Sequence, residues 1–421
     1  NDTVVRQIRV RPGNIAGITL DGMGMQGSDH SIIDHVSISW TIDEAFSSRS
    51  ARNITLQRAL ISEALNVAGH KNYKPGTQHG YAASIGGMVG SFHHNLLANN
   101  SGRNWSLAGG IDGTGRHTGW LDLRNNVVFN WNNRATDGGA AKVNFVGNYY
   151  KPGPATKYLK FLNPQLEGVK AFGPQIYFVA GNVLEGIAGP DNQAAGMTKP
   201  APDAEFMSET PLFEADVTTQ SARAAYKCVL SDVGCTQPAF DAHDRRMVAE
   251  TLSGKVAYRG SKSGLPGLPD SQDDVGGWED YPAITRPASW DRDHDGMPDW
   301  WERLHGLDPS SPVGDYTEDN ADPDGDGFTQ LEDYLNWLAA PHADVAVNGA
   351  IEIDLSELAR GFTASPSYVI NATVHGEAVL LNDHRLRFAP TPGFAGLASV
   401  SFTVTDAEGD SMQRSIGLHV Q

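Results

Sequence analysis

The sequence predicts an all-β chain in which a parallel β-helix comes first and a small β-sandwich last, with a short helical segment between them. Two observations predict the β-helix. Short apolar runs return roughly every 20–30 residues between Val4 and about Val183, a period typical of a solenoid. They are too short, and too rich in β-branched residues and glycine, to form helices. An asparagine also recurs at one place in successive runs, where stacked side chains would bond neighbouring turns: Asn95, Asn126, Asn148 and Asn182.

The composition limits the possible partners. The 421 residues carry a formal net charge of −18, which argues against a nucleic acid as the partner. The acidic residues are densest at Asp291–Asp333, which indicates cation sites rich in carboxylates. No apolar run approaches the roughly 18 residues of a membrane helix, so we expect no membrane insertion. We expect a monomer.

The two cysteines, Cys228 and Cys235, stand in C-V-L-S-D-V-G-C. A disulfide that closes this short loop is our first interpretation, with two thiols as the alternative, and it suits an oxidising, extracellular compartment. The chain opens in mid-pattern at Thr3–Arg11, without a polar cap. We therefore expect the first turns of the solenoid and an export signal to lie upstream of Asn1 or on a separate piece.

Three domains are predicted. Residues 1–285 form the β-helix, including a stretch at 201–280 that wraps over its end and side and contains a short helix at Asp241–Glu250. Residues 286–340 form the helical segment. Residues 341–421 form the sandwich, because period-two strands such as Val400–Asp406 alternate with turns rich in proline and glycine.

Residues 286–340 contain two acidic loops. The first, D-R-D-H-D-G-M-P-D-W-W-E, matches the calcium loop of an EF-hand position by position. The second, D-P-D-G-D-G-F-T-Q-L-E-D, departs at its last position, where Asp replaces Glu. We expect a structural calcium module, since this spacing folds hard oxygen ligands around one point. The predicted ligands are Asp291, Asp293, Asp295, the Met297 carbonyl, Asp299 and Glu302 in the first loop, and Asp322, Asp324, Asp326, the Phe328 carbonyl, Gln330 and Asp333 in the second.

Two further motifs carry a resemblance to a known family. They are I-I-D-H-V-S-I-S-W-T-I-D-E at Ile32–Glu44 and S-F-H-H-N-L-L-A-N-N-S-G-R at Ser91–Arg103. From about Val4 to Pro282 the chain resembles the pectate lyase superfamily. The resemblance implies a right-handed parallel β-helix, secreted from the cell, that cleaves a uronic-acid polysaccharide by calcium-assisted β-elimination. The last segment is similar to cadherin-like or immunoglobulin-like appended domains.

The resemblance also implies site residues for that reaction. Removing the weakly acidic C5 proton of a uronate needs a cation that neutralises the substrate carboxylate and a basic group near C5. Arg103 matches the family's catalytic arginine, and Lys74 or Lys71 is the candidate for its substrate-binding lysine. The calcium carboxylates match Asp21 and Asp43, with Glu44 as a possible third, whereas Ser47 stands where the family has a further carboxylate.

The pattern also offers candidates for contact with the substrate in the groove. His79, His94 and Trp105 are candidates to contact the substrate, with packing as the alternative for Trp105. Asp34 and His35 are interpreted as a structural pair. A second arginine is missing after Arg103, since Trp105-Ser106 stands where the family has Pro-Arg, which argues against classical polygalacturonate specificity.

Two alternative functions remain open from the sequence. A glycoside hydrolase on the same fold would need a pair of carboxylates as acid and base, and Asp43 with Glu63 is the candidate pair. A non-catalytic binding or adhesion protein is suggested by the sandwich, the calcium loops and the missing arginine.

Overall fold

The computed structural model describes residues 2–166, 168–198 and 206–421. The chain divides into two compact units, Asn1–Trp278 with Ala359–Thr363, and Glu279–Leu358 with Ala364–Gln421. The finer division into domains at 1–285, 286–340 and 341–421 stays a prediction.

The first unit is a right-handed parallel β-helix, as predicted, in which successive turns build three parallel sheets of eight, seven and six strands. Sheet 1 contains Thr3–Arg6, Asp29–Asp34, Arg52–Gln57, Met88–His93, Trp120–Arg124, Lys142–Val146, Ile176–Ala180 and Met207–Ser208. Sheet 2 contains Arg9–Val10, Ser37–Ser39, Leu60–Ser62, Leu96–Ala98, Val127–Phe129, Tyr149–Lys151 and Val183–Leu184. Sheet 3 contains Met23–Gly24, Phe46–Ser47, Ala83–Ile85, Ser106–Ala108, Thr136–Gly139 and Leu162–Pro164.

The predicted asparagine ladder fixes the stacking of these turns. The Oδ1 atom of Asn126 accepts hydrogen bonds from the backbone N–H and the side-chain amide of Asn95, at 3.1 and 2.9 Å. Asn148 and Asn182 repeat this arrangement on the next turns, and each Nδ2 also donates to a backbone carbonyl. All four amides are completely buried. Because a buried amide is costly to leave unpaired, the ladder holds successive turns in one register.

Helices cover one side of the solenoid. The first unit contains α1 (Val169–Phe172), α2 (Ala222–Ser231) and α3 (Ala242–Ser253), with short 3₁₀ turns at Gln193–Gly196 and Gln272–Val275. Val229 of α2 and Met247 of α3 belong to one apolar cluster with Leu96 and Phe129 of sheet 2. The short helix predicted at 241–250 is confirmed as α3. Residues 201–205 of the predicted wrapping stretch lie outside the described residues.

The predicted disulfide is wrong. No bond joins Cys228 and Cys235, both of which lie in the described part of the chain. Helix α2 carries Cys228 towards Gln220, whose Nε2 lies 3.2 Å from its sulfur, whereas the buried Cys235 thiol donates to the Gln237 carbonyl at 3.3 Å. Burial raises the pKa of Cys235 to about 11. The cysteines therefore give no support to an oxidising compartment.

The second unit consists of two helices and a β-sandwich. Helices α4 (Asp299–His305) and α5 (Gln330–Ala339) precede the sandwich, and a 3₁₀ turn at Leu355–Leu358 lies within it. One sheet contains, in order, His342–Val345, Ser411–Val420, Gly396–Thr405 and Ser367–Val374, and the other Ile351–Asp354, Arg385–Pro390 and Gly376–Leu380. None of the described helices combines the length and apolar character needed to cross a membrane.

Candidate functional site

Five side chains form a row along one edge of sheet 3. The strand pairs of sheet 3 fix which residues of successive turns lie opposite each other. When this pairing is extended to the residues shortly before each strand, one residue of each turn lies opposite one of the next. Neighbouring positions in such a ladder lie about 4.8 Å apart. The side chains change from acidic to basic along the row, in the order Asp21, Glu44, Tyr81, Arg103 and Arg134.

The acidic end of the row fits a calcium ion. Carboxylate oxygens of Asp21, Asp43 and Glu44 lie within 4.8 Å of one another. Burial, and then the repulsion from Asp43, raise the pKa of Asp21, while a hydrogen bond with Ser47 lowers it. Ser47 therefore supports Asp21 at the place where a further carboxylate was expected. This set of hard oxygens has the chemistry of a calcium site.

Two buried histidines hold Asp43. The Nε2 atoms of His70 and His79 lie 3.3 and 3.7 Å from its carboxylate, and the two rings stack with centroids 4.6 Å apart. His70 accepts the backbone N–H of Asn72 at Nδ1, so in the neutral ring Nε2 carries the proton that faces Asp43. Burial, and then His70, lower the pKa of His79 to about 4. His79 therefore lies beside Asp43, and its contact with the substrate stays a prediction.

Arg103 lies next to this acidic cluster. Its guanidinium forms an ion pair with Glu44, donates to the Ser84 hydroxyl at 3.3 Å and lies 4.6 Å from the centre of the Tyr81 ring. Ser84 in turn donates to Glu44 at 2.9 Å. Burial, and then the neighbouring Arg134 guanidinium, lower the pKa of Arg103. The arrangement gives a partly buried cation with a reduced affinity for its proton.

Arg134 is the functional candidate that the sequence analysis missed. Its guanidinium lies 5.2 Å from the centre of the Tyr81 ring and forms a bidentate ion pair with Asp137 at 2.6 and 2.8 Å. A second arginine is thus present in the site, one turn further along the solenoid than the motif places it. Extending the register of the turns from Arg103 to W-N-N-R-A-T-D at 131–137 could have found it.

The structure separates two predicted groove residues from this row. Trp105 is completely buried in the solenoid core, with its ring 5.8 Å from Phe92, so the alternative of packing is correct. His94 lies at the corner between sheets 1 and 2, whereas Arg103 lies between sheets 2 and 3. The His94 ring is bound between His93 and Gln220, each at 3.0 Å. The burial of Trp105 excludes its substrate contact, whereas the contact predicted for His94 stays a prediction.

The structural pair at Asp34 is supported. Its carboxylate contacts Arg6 at 3.0 Å, Gln57 at 2.9 Å and His35 at 2.9 Å along sheet 1. Lys71 and Lys74 are exposed on the loop that leads to His79. Their role as substrate contacts stays a prediction.

Glu63 cannot serve as half of a hydrolase pair. It is completely buried, Arg246 binds both of its oxygens at 2.7 and 2.9 Å, and Trp40 donates to it at 3.1 Å. Burial raises its pKa, but the Arg246 ion pair outweighs that effect and the pKa is lowered. A fully buried carboxylate that stays ionised supplies no acid to a groove, which removes the candidate pair with Asp43.

The two acidic loops of the second unit have the same local conformation. In each, the first Asp accepts the N–H of the fourth residue, and the fifth residue accepts that of the seventh, at 2.7–2.8 Å. The glycine at the sixth position has a positive φ in both, and a helix begins at the ninth position. Carboxylate oxygens approach within 4.8 Å of one another in the first loop (Asp291, Asp293, Asp295) and in the second (Asp322, Asp324, Asp326).

The buried groups of the first loop fit a cation. Asp293 and Glu302 are 3% and 1% exposed, and Oδ1 of Asp293 and Oε2 of Glu302 have no hydrogen-bond partner among the described residues. Burial, and then the neighbouring aspartates, raise the pKa of Glu302 to about 8. Unpaired carboxylates are stable at such a place when a cation binds them.

Asp299, a predicted ligand of this loop, has arginine partners. Arg303 and Arg292 contact its Oδ2 at 2.6 and 3.2 Å, and the backbone N–H of Arg292 donates to its Oδ1 at 3.2 Å. Both oxygens are therefore engaged outside the aspartate cluster. The physical reason is that Asp299 is the first residue of α4, where two arginines lie within its reach.

The parallel β-helix and the row of carboxylates and arginines fit the class predicted from the sequence, the polysaccharide lyases. The chain is 29% identical to the probable pectate lyase C of Aspergillus flavus over 347 residues, which cover 80% of this chain and 72% of that protein. The probable pectate lyase C of Aspergillus oryzae gives the same figures, and that of Emericella nidulans is 29% identical over 349 residues, 80% of this chain and 71% of that protein. These relatives confirm the predicted resemblance to the pectate lyases.

Two further comparisons concern the fold. Residues 308–418 match the family model of the bacterial Ig domain, which confirms an immunoglobulin-like segment at the C-terminal end. Among solved structures, the crystal structure of Jun a 1, the major allergen from cedar pollen, is 14% identical with a TM-score of 0.36. That alignment covers 51% of this chain and 56% of the other.

Proposed function

We propose that the chain is an extracellular polysaccharide lyase that cleaves a uronic-acid polymer, pectate or a related anionic polysaccharide, by calcium-assisted β-elimination. The observation that carries the proposal is the row along sheet 3, in which a carboxylate cluster lies directly beside Arg103. The similarity to pectate lyases over 80% of the chain supports the same reaction.

Each residue of the row has its own role in the proposed reaction. Asp21, Asp43 and Glu44 would hold calcium, which supplies charge neutralisation at the substrate carboxylate and so acidifies the neighbouring C5 proton. His70 and His79 position Asp43. Arg103 removes the C5 proton. Burial and the adjacent Arg134 prepare Arg103 for this role because they lower the pKa of its guanidinium. The C5–H and C4–O bonds break, a C4–C5 double bond forms, and the leaving oxygen takes up a proton.

The remaining predicted residues have supporting roles in this proposal. Lys71 and Lys74 offer positive charge to the polymer from the exposed loop before His79. The loops at Asp291–Glu302 and Asp322–Asp333 bind calcium as a structural module, since metal binding of this kind adds to folding free energy. Secretion follows from the family resemblance alone, because the cysteines are not paired.

The test of the proposed function is a panel of uronate polysaccharides and one neutral glucan, assayed for unsaturated products by ultraviolet absorbance. We expect unsaturated product from at least one uronate polymer in the presence of calcium, and none in excess chelator. Reducing ends without unsaturation would indicate hydrolysis instead. Binding of a polymer without any turnover would favour the adhesion hypothesis.

Replacing Arg134 with glutamine is expected to raise KM by about 10- to 100-fold, with a smaller effect on kcat. Hydrogen bonds to charged groups contribute about 1.5–3 kcal/mol, and Arg134 offers the second cation of the row to a substrate carboxylate. Steady-state kinetics on the best polymer measure the effect. Because the change also leaves Asp137 without its partner, the double variant Arg134→Gln/Asp137→Asn is the control for folding. A double variant with normal KM would contradict the role of Arg134 in binding.

A further inference from the structure

One buried carboxylate lies in an exposed stretch of the second unit. From 312 to 328 every residue except Asp319 is exposed, whereas Asp319 is 3% exposed. Its Oδ2 has no hydrogen-bond partner among the described residues. Burying an ionised carboxylate is costly unless a cation or hydrogen bonds compensate it. Apolar packing does not explain why this residue, among its neighbours, turns inward.

The Asp319 side chain faces the first calcium loop. Its carboxyl group shares a hydrogen bond with the Asp295 side chain, and burial, then this bond, and then the charges of Asp295 and Asp293 raise its pKa to about 7. The buried oxygens Oδ1 of Asp293 and Oε2 of Glu302 also lack hydrogen-bond partners in the described chain. The other oxygen of Asp293 accepts the backbone N–H of Ser311 at 3.1 Å, which holds that carboxylate in place. Buried carboxyl groups from three separate parts of the sequence therefore interact here, and each has an oxygen without a partner among the described residues.

One ligand position of the loop also remains available to a residue from outside it. An EF-hand loop takes a ligand from its ninth position, often through a water molecule. In this chain that residue is Asp299, whose two oxygens are engaged by Arg292 and Arg303. A carboxylate from outside the loop is available in its place.

We propose that Asp319 is a calcium ligand of the first loop and takes the place that the loop pattern assigns to Asp299. This inference rests on the proposed calcium module. The other oxygens come from Asp291, Asp293, Asp295, the Met297 carbonyl and Glu302. The set lies within the six to eight oxygen ligands, about 2.3–2.6 Å from the ion, that calcium takes in proteins.

Asp319 also joins the first loop to the second. Its backbone carbonyl accepts the N–H of Leu331 at 3.2 Å, and the carbonyl of Ala321 accepts that of Gln330 at 3.0 Å, so this segment is fixed to the start of α5. The second loop begins at Asp322, directly after that segment. Calcium at the first loop therefore orders the entrance to the second, and binding at the two loops should be positively cooperative.

The test compares Asp319→Asn with Glu318→Gln in the full-length chain. Glu318 is the adjacent acidic residue and is exposed, so its variant removes the same charge without touching the loop. Calcium affinity is measured by competition against terbium, whose luminescence is excited through Trp300 and Trp301 directly after Asp299. We expect Asp319→Asn to weaken binding at least about tenfold, since even outer-shell partners of a metal cost about 10–100-fold. Glu318→Gln should bind as the wild type does.

Thermal melting separates this role from a structural one. Without calcium, Asp319→Asn should melt at or above the wild-type temperature, because the amide carries no charge and can still donate a hydrogen bond to Asp295. With calcium, it should lose part of the stabilisation that the wild type gains. Equal calcium affinity of Asp319→Asn and wild type, while Asp293→Asn loses binding, would overturn the inference and leave the calcium loop intact. If Asp293→Asn binds as the wild type does, the loop itself fails and the inference fails with it.

Discussion

Replacing Arg103 with lysine is expected to lower turnover by about 10²- to 10⁴-fold, the usual cost of losing a proton-transfer partner. Arg103 is held by three contacts at once, with Glu44, the Ser84 hydroxyl and the face of Tyr81. A lysine keeps the positive charge but loses the planar fork that makes these contacts. Steady-state kinetics and thermal melting on the same preparation measure both consequences.

A matched control is available for this substitution. Arg52 lies on sheet 1, its side chain is 67% exposed, and its contact with Asp29 is a loose 3.9 Å, so Arg52→Lys should change neither activity nor melting. If Arg103→Lys melts at a lower temperature and keeps most of its turnover, the ion pair with Glu44 is structural. Normal melting together with near wild-type turnover would exclude both roles and move the active site elsewhere.

The parts of the structure that follow from local repetition could be predicted from the sequence. Each turn of the β-helix repeats the same short strands, and Asn126 occupies the same place as Asn95 and Asn148. The conformation of the two acidic loops is likewise local, because position 1 bonds position 4 within a few residues. Pattern and spacing are sufficient wherever the partners of a residue lie in its own repeat.

The parts that depend on distant partners could not be predicted in this way. Arg246 binds Glu63 from 183 positions away, so the sequence gives no sign that Glu63 is a buried structural acid. Arg134 lies outside the linear motif around Arg103, and only the register of successive turns, which has to be extended by a full turn, brings the two together. Trp105 follows a turn, where the alternation of inward and outward residues is lost, and it enters the core rather than the groove.

Asp43→Asn and Asp293→Asn are expected to give opposite results, since each removes one carboxylate from a different calcium site. Asp43→Asn should lower turnover by at least about 10³-fold, because a bound cation supplies several kcal/mol of charge stabilisation to such a reaction. Its melting with calcium should stay close to the wild type. Asp293→Asn should keep its turnover in saturating calcium but lose the rise in melting temperature that calcium gives, since metal binding there is folding free energy.

Turnover against calcium concentration, and melting in calcium and in excess chelator, distinguish the two sites within one full-length chain. If Asp43→Asn loses activity while half-maximal activity needs the same calcium concentration as in the wild type, Asp43 acts through His70 and His79 rather than as a ligand. If Asp293→Asn loses turnover as completely as Asp43→Asn, calcium acts on the fold and not in the groove. Separate losses would instead establish that the carboxylates beside Arg103 and those of the first loop bind calcium for different purposes.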